Sequence, residues 1–174
     1  GGHGFIREWG QEQLVRDVRI AQIYEGTNGI QALDLLGRKV LADGGQALAL
    51  FAGEIRAFAD AADGAAMGSF TAPLVEALDL LESVTRQLRE RAASQPQEIG
   101  AASVEYLHLF GYTAYAYLWA RMAQASLGQD DGFHSGKLAT ARFYFARLLP
   151  RIESLAGSIR AGSDSLFELR AEHF

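Results

Sequence analysis

The sequence predicts an all-α fold, a helical bundle without a sheet. Apolar residues recur at helical spacing in every segment, and no alternating apolar and polar stretch typical of a strand extends beyond a few residues. Glycine and proline residues divide the apolar stretches into separate helices. With 174 residues and a hydrophobic content of 49%, the chain is long enough to bury a proper core.

The N-terminal elements are predicted to be a loop and a short helix. Residues 1–10 contain the glycine-rich start Gly-Gly-His-Gly, whose backbone can closely approach a phosphate or another chain. The lone His3 is interpreted as a packing or surface residue. Residues 11–21 form a short helix with a partly periodic apolar face, and Arg16 and Asp17 are placed to form ion pairs.

A second helix is predicted from Asn28 to Ala42. Asn28 can cap its N-terminus, and Gln31, three residues on, can reach back as in a capping box. The run Asp43-Gly44-Gly45 ends this helix as a C-cap and hinge. We therefore predict a domain boundary here, with residues 1–44 in one domain and residues 45–174 in a second helical domain.

The second domain is predicted to consist of long helices. The first begins at Gln46 and ends at Asp63-Gly64, and Gly68 extends that break. The next begins near residues 71–73, where Pro73 would sit in the first turn. Its apolar line is Leu74, Leu78, Leu81, Val84 and Leu88, and the break at Ser94-Gln95-Pro96 ends it.

Two further helices complete the predicted bundle. Residues 99–127 are rich in aromatic residues and alanine around much of the helix, which predicts a central or interface position. The last long helix covers residues 135–160, with a kink at Pro150. Its predicted apolar face is Phe143, Tyr144, Phe145, Leu148, Leu149, Ile152 and Leu155. The tail over residues 161–174 is interpreted either as containing a short helix at 165–170 or, alternatively, as an arm packed on a neighbouring molecule.

Composition excludes several classes of function. The net charge of −5 gives no basis for nucleic acid or an anionic membrane as a partner. The absence of cysteine excludes disulfides, thiolate metal sites and a cysteine nucleophile. No Walker loop, zinc-ligand spacing or nucleophile elbow occurs, and we predict no metal site. His108 and His134 stand without partner ligands in the sequence. The composition is compatible with a cytoplasmic location.

The run Gln22-Ile23-Tyr24-Glu25-Gly26-Thr27-Asn28 places one carboxylate just before a predicted helix. Free N–H groups and the helix dipole favour negative charge there, which suits an ionised general base, Glu25. Gly26 permits a turn or a close approach to a ligand. The alternative is an ordinary capped helix preceded by a surface glutamate.

Three sequence blocks, in order, resemble the C-terminal part of the acyl-CoA dehydrogenase flavoprotein family. They are Gly1-Gly2-His3-Gly4-Phe5, Gln13-Leu14-Val15-Arg16-Asp17 and Gln22-Ile23-Tyr24-Glu25-Gly26-Thr27-Asn28. The remainder resembles the extra helical C-terminal domain of larger members, including methylthiopropionyl-CoA dehydrogenases. Because the chain begins without methionine inside such a block, we interpret it as a fragment of a longer protein.

The resemblance implies a flavin-dependent oxidation of an acyl-CoA thioester to the 2,3-enoyl thioester, as in fatty acid β-oxidation. Glu25 would take the α-proton, and Tyr24 and Gly26 would lie beside the substrate. Flavin contacts would come from Gly1 and Gly2 and from the turn Thr27, Asn28 and Gly29. The family often has glutamate or glutamine where this chain has Gly29. FAD, an electron-transfer flavoprotein and a homo-oligomeric partner are implied in the same way.

A non-enzymatic role is the alternative. Most of the chain belongs to the appended helices, which could instead serve as a module for oligomerisation or partner binding. The fragment alone is predicted neither to retain flavin nor to turn over substrate, because the family holds most of the cofactor in domains outside this stretch.

Overall fold

The computed structural model describes residues 1–24, 27–62 and 64–173, and these residues confirm the all-α prediction. Of the described residues, 83% are helical and none lies in a strand. By contact it divides into two compact units, residues 1–31 and residues 32–174. Among the described residues, no helix combines the length and the apolar character needed to cross a bilayer.

Residues 1–31 form a series of short helices. These are α1 (Gly2–Phe5), a 3₁₀ turn (Arg7–Trp9), α2 (Glu12–Val18) and α3 (Ile20–Ile23), and α4 (Asn28–Leu33) begins at the end of this unit. The predicted loop over residues 1–10 is therefore wrong, since most of it forms helical turns. The predicted short helix over residues 11–21 is present as α2 and α3, with Arg19 between them.

Residues 32–174 form a bundle around one long central helix. Its elements are a π-helical segment (Asp34–Leu41), α5 (Gln46–Ala61), α6 (Ala65–Ala92), α7 (Gln97–Ser126), α8 (Gly132–Phe143), a second π-helical segment (Tyr144–Leu148), α9 (Arg151–Ala161), α10 (Asp164–Phe167) and a 3₁₀ turn (Ala171–His173). Helix α7 contacts α6, α8, α9 and the first π-helical segment. This confirms the central position predicted for the aromatic helix.

The predicted apolar line of α6 forms the middle of the core. Leu74, Leu78, Leu81, Val84 and Leu88 are all fully buried. Burial of a side chain of this size stabilises the fold by roughly 1.5–3 kcal/mol relative to exposure. Helical spacing of apolar residues in the sequence was therefore enough to predict this face.

The start of α6 was predicted wrongly. The helix begins at Ala65 rather than near Thr71, so Pro73 lies in the helix interior and Gly68 does not break the helix. Met67 and Phe70, in the additional N-terminal turns, are buried, and the Phe70 ring lies 5.4 Å from that of Phe145 in an edge-to-face contact. Burial of Met67 and Phe70 offsets the free-energy cost of placing Gly68 and Pro73 inside the helix.

The single helix predicted over residues 135–160, with a kink at Pro150, is divided into separate segments in the structure, and Pro150 lies in a turn between two of them. Helix α8 passes into the π-helical segment, in which the Leu149 N–H donates to the Tyr144 carbonyl at 3.0 Å, and α9 then begins at Arg151. Proline has no N–H to continue the ladder, which explains the change of helix type. One residue of the predicted apolar face was wrong, because Phe143 is 57% exposed.

Candidate functional site

The predicted catalytic stretch begins where α3 ends. The Tyr24 N–H donates to the Ile20 carbonyl at 3.0 Å and closes the last turn of α3. Glu25 and Gly26 lie outside the described residues. The roles assigned to them, general base and substrate contact, therefore remain predictions.

On the far side of that gap, α4 begins at Asn28. The Gln31 N–H donates to the Thr27 carbonyl at 2.8 Å, so Thr27 occupies the N-cap position and Asn28 is the first helical residue. The predicted cap at Asn28 is thus displaced by one residue. The first-turn N–H groups of Asn28 and Gly29 have no carbonyl acceptor one turn earlier in the helix. Such groups, together with the helix dipole, can receive an anionic or strongly polar ligand atom.

The side chains around this helix start are open to solvent. Tyr24 is 58% exposed, and Ile23 and Ile30 are 67% and 63% exposed. Among the described residues from 1 to 31, none is buried, and only Glu12 is partly buried. These residues do not enclose a pocket by themselves, so a substrate site here requires walls from other parts of a protein.

The glycine pair at the start of the chain is equally open. The Gly4 N–H donates to the Gly1 carbonyl at 3.0 Å, and Gly2 begins α1. A Cβ built at either Gly1 or Gly2 would meet no atom within 4 Å, so a ligand can approach this backbone freely. Within the described residues, no hydrogen bond joins this pair to residues 27–29. His3 is exposed, and its ring lies 6.3 Å from the Trp9 ring between centroids, in keeping with the packing or surface position predicted for it.

Polar side chains of α2 form a local network. Arg16 donates to Glu12 at 3.1 Å, and Arg7 donates to the same carboxylate at 3.2 Å. Asp17 accepts from the Gln13 amide at 2.8 Å rather than pairing with a cation. The predicted ion pairing is therefore confirmed for Arg16 and wrong for Asp17. Exposed pairs of this kind contribute about 0–1 kcal/mol each.

Sequence reasoning missed a polar clamp in residues 32–174. Glu98, in the first turn of α7, has a side chain only 3% exposed. One of its carboxylate oxygens accepts the Ser163 N–H at 2.8 Å, and the other lies 3.2 Å from Arg91 Nη2. Hydrogen bonding from Ser163 and the charge of Arg91 hold the pKa of Glu98 below its usual value, although burial alone would raise that pKa.

Arg91 extends this clamp to the end of α9. Its guanidinium donates to the Ile159 carbonyl at 2.8 Å and to the Arg160 carbonyl at 3.0 Å. Those carbonyls belong to the last turn of α9, where carbonyl groups lack donors four residues later in the helix, and the Ile159 carbonyl also accepts the Gly162 N–H at 3.3 Å. The left-handed Gly162, with φ of +79°, completes the turn, and a Cβ there would lie 3.3 Å from Glu98 Oε1. The only sequence signal was a charged pair flanking the Ser94-Gln95-Pro96 break.

A second missed cluster lies between α7 and α9. Arg151 Nη1 donates to the Tyr112 hydroxyl at 3.2 Å, and a cleft of about 380 Å³ is lined by His108, Tyr112, Arg151, Ser154 and Leu155. His108 and Tyr112 lie one turn apart on α7, and Arg151 and Ser154 lie on α9. The two pairs are far apart in the chain, and only the packing of the two helices brings them together.

Comparison with known proteins agrees with the order of sequence blocks. Residues 51–170 match the family described as acetyl-CoA dehydrogenase C-terminal like, and residues 1–41 match the family described as acyl-CoA dehydrogenase, C-terminal domain. The first match covers more than half of the chain. The chain therefore belongs to the acetyl-CoA dehydrogenase C-terminal like family.

Curated relatives carry related names. The chain is 39% identical over 95% of its length to a 3-methylmercaptopropionyl-CoA dehydrogenase of Ruegeria pomeroyi. It is 30% identical over 97% of its length to a broad-specificity linear acyl-CoA dehydrogenase, FadE5, of Mycobacterium tuberculosis, and 28% identical over its whole length to a butyryl-CoA dehydrogenase of Syntrophomonas wolfei. The chain spans only 29–30% of the length of these relatives.

Proposed function

We propose that this chain is the C-terminal part of an FAD-dependent acyl-CoA dehydrogenase that oxidises an acyl-CoA thioester to the 2,3-enoyl-CoA. The observation that carries the proposal is that two family matches follow one another along the chain, at residues 1–41 and 51–170. The Tyr24–Asn28 block lies inside the match to residues 1–41. The names of the curated relatives support the same reaction class.

In this proposal Glu25 is the general base. An α-proton of a thioester is acidic only when the carbonyl is polarised, so the base must be held close to a bound and oriented substrate. Tyr24 and Gly26 are proposed to lie beside the acyl thioester. The helix that starts at Asn28 supplies N–H groups and a dipole that favour the ionised form of a nearby carboxylate.

The residues proposed to hold FAD fit such a group. Gly1 and Gly2 carry no side chain that would block a phosphate-bearing ligand, and the space around them is open. Thr27, Asn28 and Gly29 are exposed at a helix start whose first N–H groups lack helical acceptors. When bound, the flavin would supply a hydride acceptor for the β-hydrogen. The chain's own contribution is to contact the cofactor and to remove the α-proton.

A second role is proposed for residues 32–174, as a structural module for oligomerisation or partner binding. The supporting observation is that this unit has a core of its own that includes none of the predicted site residues. The two roles can coexist in one protein.

The proposal also includes a homo-oligomer, an electron-transfer flavoprotein as electron acceptor and a cytoplasmic location. Exposed apolar side chains such as Trp9 and Val18, at 61% and 63%, are consistent with cover from another chain or domain.

Flavin content and turnover of the full-length protein test this function. The proposal predicts a yellow holoprotein that reduces an artificial electron acceptor when acyl-CoA thioesters of increasing chain length are supplied. A colourless full-length protein without dehydrogenase activity would contradict the enzymatic proposal and leave the structural module as the function.

A further inference from the structure

We propose that the cleft between α7 and α9, lined by His108, Tyr112, Arg151, Ser154 and Leu155, binds a phosphate group. The inference concerns a site in residues 32–174 and does not depend on the dehydrogenase proposal. Four of the five lining residues carry a polar group that can donate a hydrogen bond, and none of the five is acidic. At about 380 Å³, the cleft lies within the range of small-ligand sites.

Arg151 and Tyr112 form the preorganised part of this cleft. The guanidinium donates to the Tyr112 hydroxyl oxygen at 3.2 Å, so the phenolic proton remains available for an outside acceptor. The Tyr144 hydroxyl donates to the Tyr112 main-chain carbonyl at 2.8 Å and ties this turn of α7 to the segment that precedes α9. Two adjacent donors with a fixed separation suit two oxygens of one phosphate, a geometry that guanidinium groups favour.

The charge of the surrounding segment favours an anion. Residues 132–152 contain four cations, Lys137, Arg142, Arg147 and Arg151, and no carboxylate, within a chain of net charge −5. Among the described residues, none of these four cations makes a salt bridge. Asp131 and Glu153 border this segment; Asp131 pairs with His134, and Glu153 lines a different cleft with Pro73 and Phe145. Arg151 is thus a cation without a carboxylate partner, next to three other donors.

Side chains, rather than the N-terminus of α9, carry the site. The N–H groups of Ile152 and Glu153 already donate to the carbonyls of Leu149 and Pro150, at 3.0 and 3.3 Å. The Ser154 hydroxyl and the His108 imidazole line the same cleft as Arg151 and can add donors there. Because Arg, Tyr, Ser and His donors line one cleft and none of its lining residues is a carboxylate, the ligand class is a phosphate dianion or a phosphate monoester.

Isothermal titration of the 174-residue chain with inorganic phosphate tests the site. We expect saturable binding that weakens about tenfold or more in Arg151→Gln, since a hydrogen bond to a charged group is lost. Arg151→Lys should bind with intermediate affinity, and Tyr112→Phe more weakly than wild type. Arg142→Gln is the matched control, because it removes the same charge from α8 but lines another cleft. Its affinity should remain within about twofold of wild type.

Two results would overturn the proposal. One is the absence of saturable phosphate binding, and the other is an equal loss in Arg142→Gln and Arg151→Gln, which would indicate general electrostatic attraction. Circular dichroism melts identify any variant that fails to fold. If Arg151→Gln does not fold, Arg151→Lys, which retains the positive charge, is used to test the site in its place. Co-sedimentation with phosphatidylcholine vesicles, with and without phosphatidic acid, then distinguishes the source. Binding only to the phosphatidic acid vesicles assigns a lipid headgroup, and phosphate binding without co-sedimentation assigns a soluble phosphate ester.

Discussion

Replacing Glu98 with glutamine perturbs the clamp that joins the end of α9 to the turn between α6 and α7. The amide keeps the shape of the side chain and an oxygen that can accept from the Ser163 N–H. It loses the negative charge opposite Arg91. The amide N–H₂ group then faces the Arg91 guanidinium, and the two groups cannot pair because both are hydrogen-bond donors. The fold should persist with lower stability.

The expected magnitude follows from the burial of the two partners. Breaking a fully buried ion pair costs about 3–5 kcal/mol, whereas an exposed pair contributes about 0–1 kcal/mol. The Glu98 side chain is 3% exposed and that of Arg91 is 33% exposed. We therefore expect Glu98→Gln to lower the free energy of unfolding by about 2 kcal/mol, which corresponds to a decrease in Tm of about 4–8 °C for a chain of this length.

Urea denaturation at pH 7 measures this difference, with Glu90→Gln as the matched control. Glu90 is exposed near the end of α6 and makes no ion pair among the described residues, so its replacement should change stability by no more than about 0.5 kcal/mol. An equal loss of stability in the two variants would refute the clamp, because only the loss of net charge would then matter.

The pH dependence provides a second measurement on the same pair of proteins. Hydrogen bonding from Ser163 and the charge of Arg91 lower the pKa of Glu98 in the folded state. A carboxyl group whose pKa is lower in the folded state stabilises the fold at pH values above its unfolded-state pKa of about 4.3. This contribution to the free energy of unfolding is lost as the pH falls through the folded-state pKa. The difference between wild type and Glu98→Gln should therefore shrink from pH 7 to pH 3. A constant difference over that range would contradict the cause assigned here.

Three further predictions concern other parts of the chain. Asp43→Ala should lower the midpoint of urea unfolding, because the two Asp43 carboxylate oxygens accept the N–H groups of Gly45 and Ala47 at 2.7 and 2.8 Å and cap α5; Asp43→Asn, whose single amide oxygen can accept only one of these N–H groups, should lose less stability than Asp43→Ala but should not match wild type. Burial raises the pKa of Tyr106 to about 12 against the effect of its hydrogen bond to Thr85, so stability should fall between pH 10 and pH 12 by up to about 1.4 kcal/mol per pH unit; an undiminished slope in Tyr106→Phe would contradict this. The purified 174-residue chain should retain no stoichiometric flavin by absorbance, since none of the large apolar side chains of residues 1–31 is buried.

The regular part of the fold could be predicted from the sequence because apolar spacing dominates it. The apolar line of α6 (Leu74, Leu78, Leu81, Val84 and Leu88) lies on one face and is buried, and the Ser94-Gln95-Pro96 break separates α6 from α7. The start of α6 could not be predicted in the same way. Local rules place a boundary near Pro73, but burial of Phe70 against Phe145, a residue far along the chain, extends the helix to Ala65.

Long-range polar contacts limited the prediction of sites. Glu98 meets Arg91 seven residues earlier and Ser163 sixty-five residues later, and Arg151 meets Tyr112 across thirty-nine residues. Spacing within the sequence carries no signal for such pairs. The candidate catalytic stretch was recognised by the opposite route, because its residues are contiguous and resemble a family block. The domain boundary at residues 44 and 45 remains a prediction.

The role of Glu25 is tested most directly by flavin reduction in a stopped-flow experiment with full-length protein and acyl-CoA. Glu25→Gln is nearly isosteric and lacks useful basicity, so flavin content and fold should persist while the rate of reduction falls by about 10²–10⁴. Glu90→Gln, with the same loss of charge outside residues 1–31, should reduce flavin at the wild-type rate. Reduction at the wild-type rate in Glu25→Gln, with melting only slightly earlier, would instead show that Glu25 merely stabilises the helix start and that the base lies elsewhere.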